Sequence, residues 1–117
     1  VTSFSKYAYG KVPPTRPFAN VAASSTDSVL VAGVPDKKIR VLAFAFVCGG
    51  TGTNATFNSK GSGAGAAISP LFANAANGGA VLGINPLGWC ETTKGEALTL
   101  TTGPGSTTGV LLTTVEV

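Results

Sequence analysis

Histidine is absent from the 117 residues, and with it goes much of the common catalytic chemistry. Without an imidazole there is no Ser-His-Asp or Cys-His arrangement to activate a nucleophile. Cys48 and Cys90 are the only thiols. Two cysteines with no histidine cannot build the usual zinc sites, so no metal and no cofactor is expected. Both stand in apolar, strand-like surroundings, where a free thiol packs as a small hydrophobe. Two buried thiols and a Cys48–Cys90 disulfide are the alternatives. Charge is scarce too: charged side chains are 11% of the chain, against about 25% in an average soluble domain. Glycine, alanine, serine, threonine and asparagine take their place. No apolar run approaches the roughly 18 residues of a membrane-spanning helix, so no membrane partner is expected. The opening Val1-Thr-Ser carries no basic-then-apolar signal pattern, and the lack of an initial methionine fits either its removal or a trimmed chain. Helical periodicity is missing as well. Phe72–Ala76 has a helical composition, but Asn77-Gly78-Gly79 ends it at once.

What the chain does have is one long apolar strand, Lys38–Cys48, reading Lys-Ile-Arg-Val-Leu-Ala-Phe-Ala-Phe-Val-Cys. After Arg40 no polar side chain interrupts it until Gly49-Gly50. Period two places Leu42, Phe44 and Phe46 on one face and Ile39, Val41, Ala43, Ala45 and Val47 on the other. A strand with one wet face would alternate with polar residues, so this one is expected to be central and covered on both sides. The rings predict a sandwich core. The small-residue face predicts close approach by something else, either the N-terminal segment or another subunit.

Further strands are predicted near 18–24, 28–32, 54–59, 66–72, 80–84, 88–92, 97–102 and 109–116. Turn residues separate them, among them Val34-Pro-Asp, Asn77-Gly-Gly, Asn85-Pro-Leu-Gly and Gly103-Pro-Gly-Ser. Short strands at intervals near ten residues define an all-β sandwich or barrel, and about eight of them in one domain suit a jelly roll of two four-stranded sheets.

Residues 1–17 read differently. Pro13, Pro14 and Pro17 forbid helix and favour extended geometry, and Lys6, Lys11 and Arg16 supply the whole net charge of +3. From Phe18 onward five bases balance five acids. The chain therefore divides into an extended N-terminal arm, 1–17, and a β-sandwich domain, 18–117. The candidate contact residues of the arm are Phe4, Lys6, Tyr7, Tyr9, Lys11 and Arg16; a solvated tail is the other reading.

Catalytic candidates are few. The acids are Asp27, Asp36, Glu91, Glu96 and Glu116. Asp27 and Asp36 fall in turns. Glu91 and Glu96 flank Thr92-Thr-Lys-Gly, where paired carboxylates would need an aromatic, polar cleft to act on a sugar. A hairpin rim with Lys94 as partner is the simpler reading. Gly49-Gly-Thr-Gly and Gly61-Ser-Gly-Ala-Gly follow strands, but no helix follows them, so neither cradles a phosphate. Trp89 is a core or interface aromatic before it is a sugar platform. Basic residues interleaved with exposed aromatics are confined to the arm, and direct nucleic-acid binding is not expected.

Several stretches together carry a likeness: Ile68-Ser-Pro-Leu-Phe, Ala75-Ala-Asn-Gly-Gly-Ala-Val, Asn85-Pro-Leu-Gly-Trp, Glu91-Thr-Thr-Lys-Gly-Glu-Ala-Leu and the closing Val110–Val117. With Lys38–Cys48 they cover about two thirds of the chain, and they resemble the jelly-roll capsid decoration, or cement, proteins of tailed bacteriophages. The resemblance implies a non-enzymatic virion protein, made in the host cytoplasm. It would bind the major capsid protein on the outer surface of the head as a homotrimer. The arm lies outside the resemblance. A receptor- or glycan-binding module of a tail or head fibre would use the same fold and is the alternative.

Overall fold

The computed structural model describes residues 13–117. Ten strands follow in chain order. They are β1 (Phe18–Val21), β2 (Ser28–Val31), β3 (Ile39–Cys48), β4 (Asn54–Lys60), β5 (Ala66–Ala67), β6 (Phe72–Ala73), β7 (Gly79–Leu82), β8 (Cys90–Glu91), β9 (Ala97–Thr102) and β10 (Thr108–Glu116). They form two antiparallel sheets packed as a sandwich. One sheet has the order β1-β10-β3-β7, with β8 pairing the start of β3; the other has the order β2-β9-β4-β5, with β6 pairing the start of β4. The expected all-β sandwich is thus the observed architecture, with a short fifth strand added to each sheet.

The inner faces meet in one apolar cluster. Phe44 and Phe46 stand two residues apart on β3 and stack with centroids 5.5 Å apart. From the other sheet Phe57 meets Phe44 edge-on at 5.2 Å, and Phe72 meets Phe46 edge-on at 5.1 Å. Such pairs contribute about 0.5–1.5 kcal/mol each beyond the area they bury. Val21, Ile39, Val41, Ala55, Leu98, Leu100, Val110 and Leu112 complete the cluster.

Ile39 and Val41 were expected on the face opposite the rings. The pairing of β10 with β3 explains the difference: Thr113 faces Ala43 but Thr114 faces Val41, so Leu42 is an extra residue in the ladder. This bulge reverses the alternation, because one inserted residue turns every later side chain over. Before it Ile39 and Val41 point inward; after it Phe44, Phe46 and Cys48 do. Leu42 is buried outside that cluster.

The predicted strand 66–72 splits into β5 and β6. Pro70 has no N–H to give a ladder, and the Phe57 N–H is taken by the Ser69 hydroxyl oxygen at 2.9 Å, so the chain steps off β4 between them. Residues 1–12, and with them most of the arm, lie outside the described residues. Its end does not stand away from the domain. Thr15 and Thr114 exchange both backbone hydrogen bonds at 2.8 Å, and the Leu112 N–H donates to the Pro17 carbonyl at 2.9 Å. The nine residues of β10 outrun the four of β1, and these contacts occupy backbone groups that would otherwise lack a partner.

Candidate assembly interface

The two outer faces of the sandwich differ in kind. On the β2-β9-β4 sheet, Asn58 and Thr99 face each other across β4 and β9. Asp27 closes over them, its Oδ1 accepting from Thr99 Oγ1 at 3.0 Å and Asn58 Nδ2 at 3.2 Å. Its Oδ2 accepts from Gly65 N–H at 3.0 Å. That backbone bond is the main reason the Asp27 carboxyl stays below its ordinary value, working against burial; Thr99, the Lys60 charge and Asn58 add to it. The centre of this face is polar and satisfied within the chain, while Val29 and Ala67, in the same row on β2 and β5, are exposed.

The outer face of the β1-β10-β3-β7 sheet is apolar. Register aligns Phe18, Leu111, Ala45 and Val81 in a single row across all four strands. Phe18 is 80% exposed and Val81 74% exposed. The next row is Asn20, Gly109, Val47 and Gly79, again uncharged, with Val47 exposed. Leu111 stands as a ridge between two shallow grooves. One, about 410 Å³, is floored by Ala45 and Gly109; the other, about 400 Å³, lies over Ala43 and Ala45. No acid lines either groove, and Arg16, at the border of the second, is the only base. Among the described residues Ala43 and Ala45 are half-buried and Val47 is exposed; the two covers expected for this face of β3, the N-terminal segment and another subunit, lie outside the described residues.

A second uncharged surface adjoins the first along β7. Residues 61–90, thirty in succession, include no Asp, Glu, Lys or Arg. They build one side of the sandwich, because β5 and β6 edge one sheet and the chain from β7 to β8 edges the other. Between the edges lies a cleft of about 200 Å³ lined by Ile68, Pro70, Phe72, Leu82 and Trp89. Trp89 is half exposed at its mouth, its indole N–H donating to the Gly83 carbonyl at 2.8 Å. It is neither a core residue nor an open platform. Leu87, 83% exposed, projects from the turn that the Gly88 N–H closes onto the Asn85 carbonyl. Leu71 and Ile84 are exposed on the same side.

Charge is gathered at one end. Asp36, Lys37, Lys38, Arg40, Lys60, Glu91, Lys94, Glu96 and Glu116 belong to that end. The Gly95 N–H there donates to the Lys37 carbonyl at 2.7 Å, and Lys38 pairs with Val117. Glu91 Oε1 accepts from Arg40 Nε at 2.9 Å, and its Oε2 meets Lys38 Nζ at 3.3 Å. Burial alone would raise the Glu91 carboxyl; the hydrogen bonds and charges of Arg40 and Lys38 outweigh it and hold it below its ordinary value. Its partners are thus Lys38 and Arg40 rather than Lys94. Glu96 instead accepts from the Ser59 hydroxyl at 2.7 Å.

Both cysteines are free. The buried Cys48 thiol donates to the Ala75 carbonyl at 3.0 Å, while burial, with the Glu91 charge beside it, pushes the Cys90 thiol up to about 11. Of the six arm residues singled out from sequence, Phe4, Lys6, Tyr7, Tyr9 and Lys11 lie outside the described residues, and Arg16 is exposed beside the apolar face. Sequence reasoning did not single out Phe18, Leu111, Val81 or Leu87. The charge-free run 61–90 was the readable signal for the side surface. Scans against protein-family models, curated proteins and solved structures each returned no match.

Proposed function

We propose that this chain is a non-enzymatic structural protein of a virus particle, a decoration protein that binds the outside of a phage head as a homotrimer and reinforces it. The observation that carries the reading is the contrast between the two outer faces. One is polar at its centre and satisfied there within the chain; the other is a four-strand apolar row, and Arg16 is the one charged residue lining the grooves beside it. A protein that works by lying against other subunits needs an apolar face of this kind. The strand order supports the jelly-roll assignment, since β1-β10-β3-β7 opposite β2-β9-β4-β5 follows from a chain that crosses between sheets at each early strand. The major capsid protein is the proposed partner, and the outer capsid surface the proposed location.

Purified chain mixed with DNA-filled heads that lack it should co-sediment with them and raise the temperature at which they release DNA. Heads that sediment without it, under conditions where the chain is folded, would overturn the proposal. A Trp89 fluorescence shift on adding soluble glycans, together with failure to bind heads, would favour a receptor-binding module of a tail or head fibre instead.

A further inference from the structure

We propose that the open edge of β7, with the Trp89 cleft beside it, is a docking site for an extended, uncharged segment of a partner protein. The segment adds to the sheet as a further strand and sets one apolar side chain into the cleft. This goes beyond the decoration reading and does not depend on it.

The backbone supplies the first half of the site. The Cys48 N–H donates to the Gly78 carbonyl at 2.9 Å. In an antiparallel ladder that bond sets the alternation that follows. Ala80 and Leu82 bond to Phe46 and Phe44 on β3, while the N–H and C=O groups of Gly79 and Val81 point away from it. No strand among the described residues pairs with β7 on that side, and both residues are exposed. Sheets guard such edges with proline, charge, bulges or brevity. Arg16 and Pro17 lead into β1, a bulge between Val29 and Val31 interrupts β2, and β5, β6 and β8 have two residues each. β7, reading Gly-Ala-Val-Leu in an unbroken register, has no proline, charge or bulge.

The cleft supplies the second half. Side chains alternate between the faces of a sheet, so a residue laid opposite Leu82 would share its face. Leu82 lines the cleft of about 200 Å³ together with Phe44, Phe72 and Trp89, room for one large aliphatic side chain or ring. The polar atoms at its wall are already engaged. Ser69 Oγ accepts from the Phe57 N–H at 2.9 Å and donates to the Pro70 carbonyl at 3.0 Å, and the Trp89 indole N–H is held by the Gly83 carbonyl. A charged or hydrogen-bonding occupant would lose its water there and gain no partner. The two halves together select the occupant. A peptide backbone satisfies a row of alternating donors and acceptors while its side chains fill a pocket beside the row. A lipid surface would strand the outward groups of Gly79 and Val81, and a nucleic acid would meet no Lys or Arg in residues 61–90.

The test pans a displayed library of random segments of about seven residues on the full native chain. Enriched sequences should be uncharged, with one large apolar residue near the middle. A synthetic peptide of the leading sequence should shift Trp89 emission and slow exchange of the Gly79 and Val81 amides. N-methylating that peptide at alternate residues should weaken binding about tenfold or more in one register and leave it nearly unchanged in the other, because only every second residue faces the edge. Val81→Pro removes one outward N–H and no bond to β3, so the chain should keep its far-UV circular dichroism and lose binding by a similar factor. The methylated peptides answer the same question if that variant does not fold. The proposal fails if no sequence is enriched, if both methylation registers bind alike, or if a folded Val81→Pro chain binds as the native one does. It fails too if the Gly79 and Val81 amides are already protected in the free native chain. Loss of that protection on deleting residues 1–12 would assign the edge to this chain's own arm, and loss on dilution would assign it to a second copy. Binding to heads is measured separately, so the decoration reading stands or falls on its own.

Discussion

Single side chains show where the domain has stability to gain or lose. Among the described residues, Thr108 has the one buried side-chain oxygen without a partner. It faces Cys48 on β3 and Val21 on β1, an apolar neighbourhood with no acceptor to offer. Thr108→Val keeps the shape and removes the stranded hydroxyl, so it should stabilise by about 1 kcal/mol. Thermal unfolding should then shift upward by roughly 4 °C, and an unchanged or lower midpoint would mean the hydroxyl is satisfied in solution. The carboxyls behave oppositely. Asp27 and Glu91 are held below their ordinary values of 3.8 and 4.5 in the folded chain. Their contribution is therefore complete above those values and is lost as pH falls through the lower folded ones. Denaturant midpoints should be level from about pH 7 to 5 and decline below about 4. Glu91→Gln should flatten part of that decline. The size should be modest, under about 1 kcal/mol, because the Glu91 pairs are partly in water.

At the scale of elements, β3 shows both what sequence conveys and what it conceals. Its length, its two rings on one face and its termination at Gly49 were all legible, because composition alone separates a buried strand from a turn. The bulge at Leu42 was not. It depends on the partner strand, and Val41–Cys48 is apolar on both faces, so either phase looked acceptable. The same ambiguity hid the outer face: Val110-Leu-Leu on β10 is apolar at every position and gives no hint which residues stay in water. β9 was placed at 97–102, as observed, since its alternation is bounded by clear turns on both sides. The arm could not be divided by sequence into a part that pairs with β10 and a part before it, because Pro13 to Pro17 reads as extended either way. Gly79 illustrates a requirement that composition does hint at. A side chain there would meet the Phe46 carbonyl oxygen, so β7 approaches β3 only because the residue is glycine. Gly79→Ala should push β7 off its neighbour and cost about 1–3 kcal/mol, measured as a lower denaturant midpoint. Full retention of stability would show that β7 is free to shift.

For the molecule as a whole, the gathering of charge at one end leaves the proposed contacts with almost no ion pairs to hold them and a large share of apolar surface. Burial of such surface is driven by water, and that drive weakens on cooling. Sodium chloride should therefore leave the assembled mass unchanged, and sulfate should strengthen it, where contacts held by ion pairs would loosen. Sedimentation at about 4 °C and about 30 °C should show the smaller species in the cold, and a larger one there would mean that polar contacts dominate. Contacts fastened in this way are cold-labile: they would hold best when warm and come apart on ice.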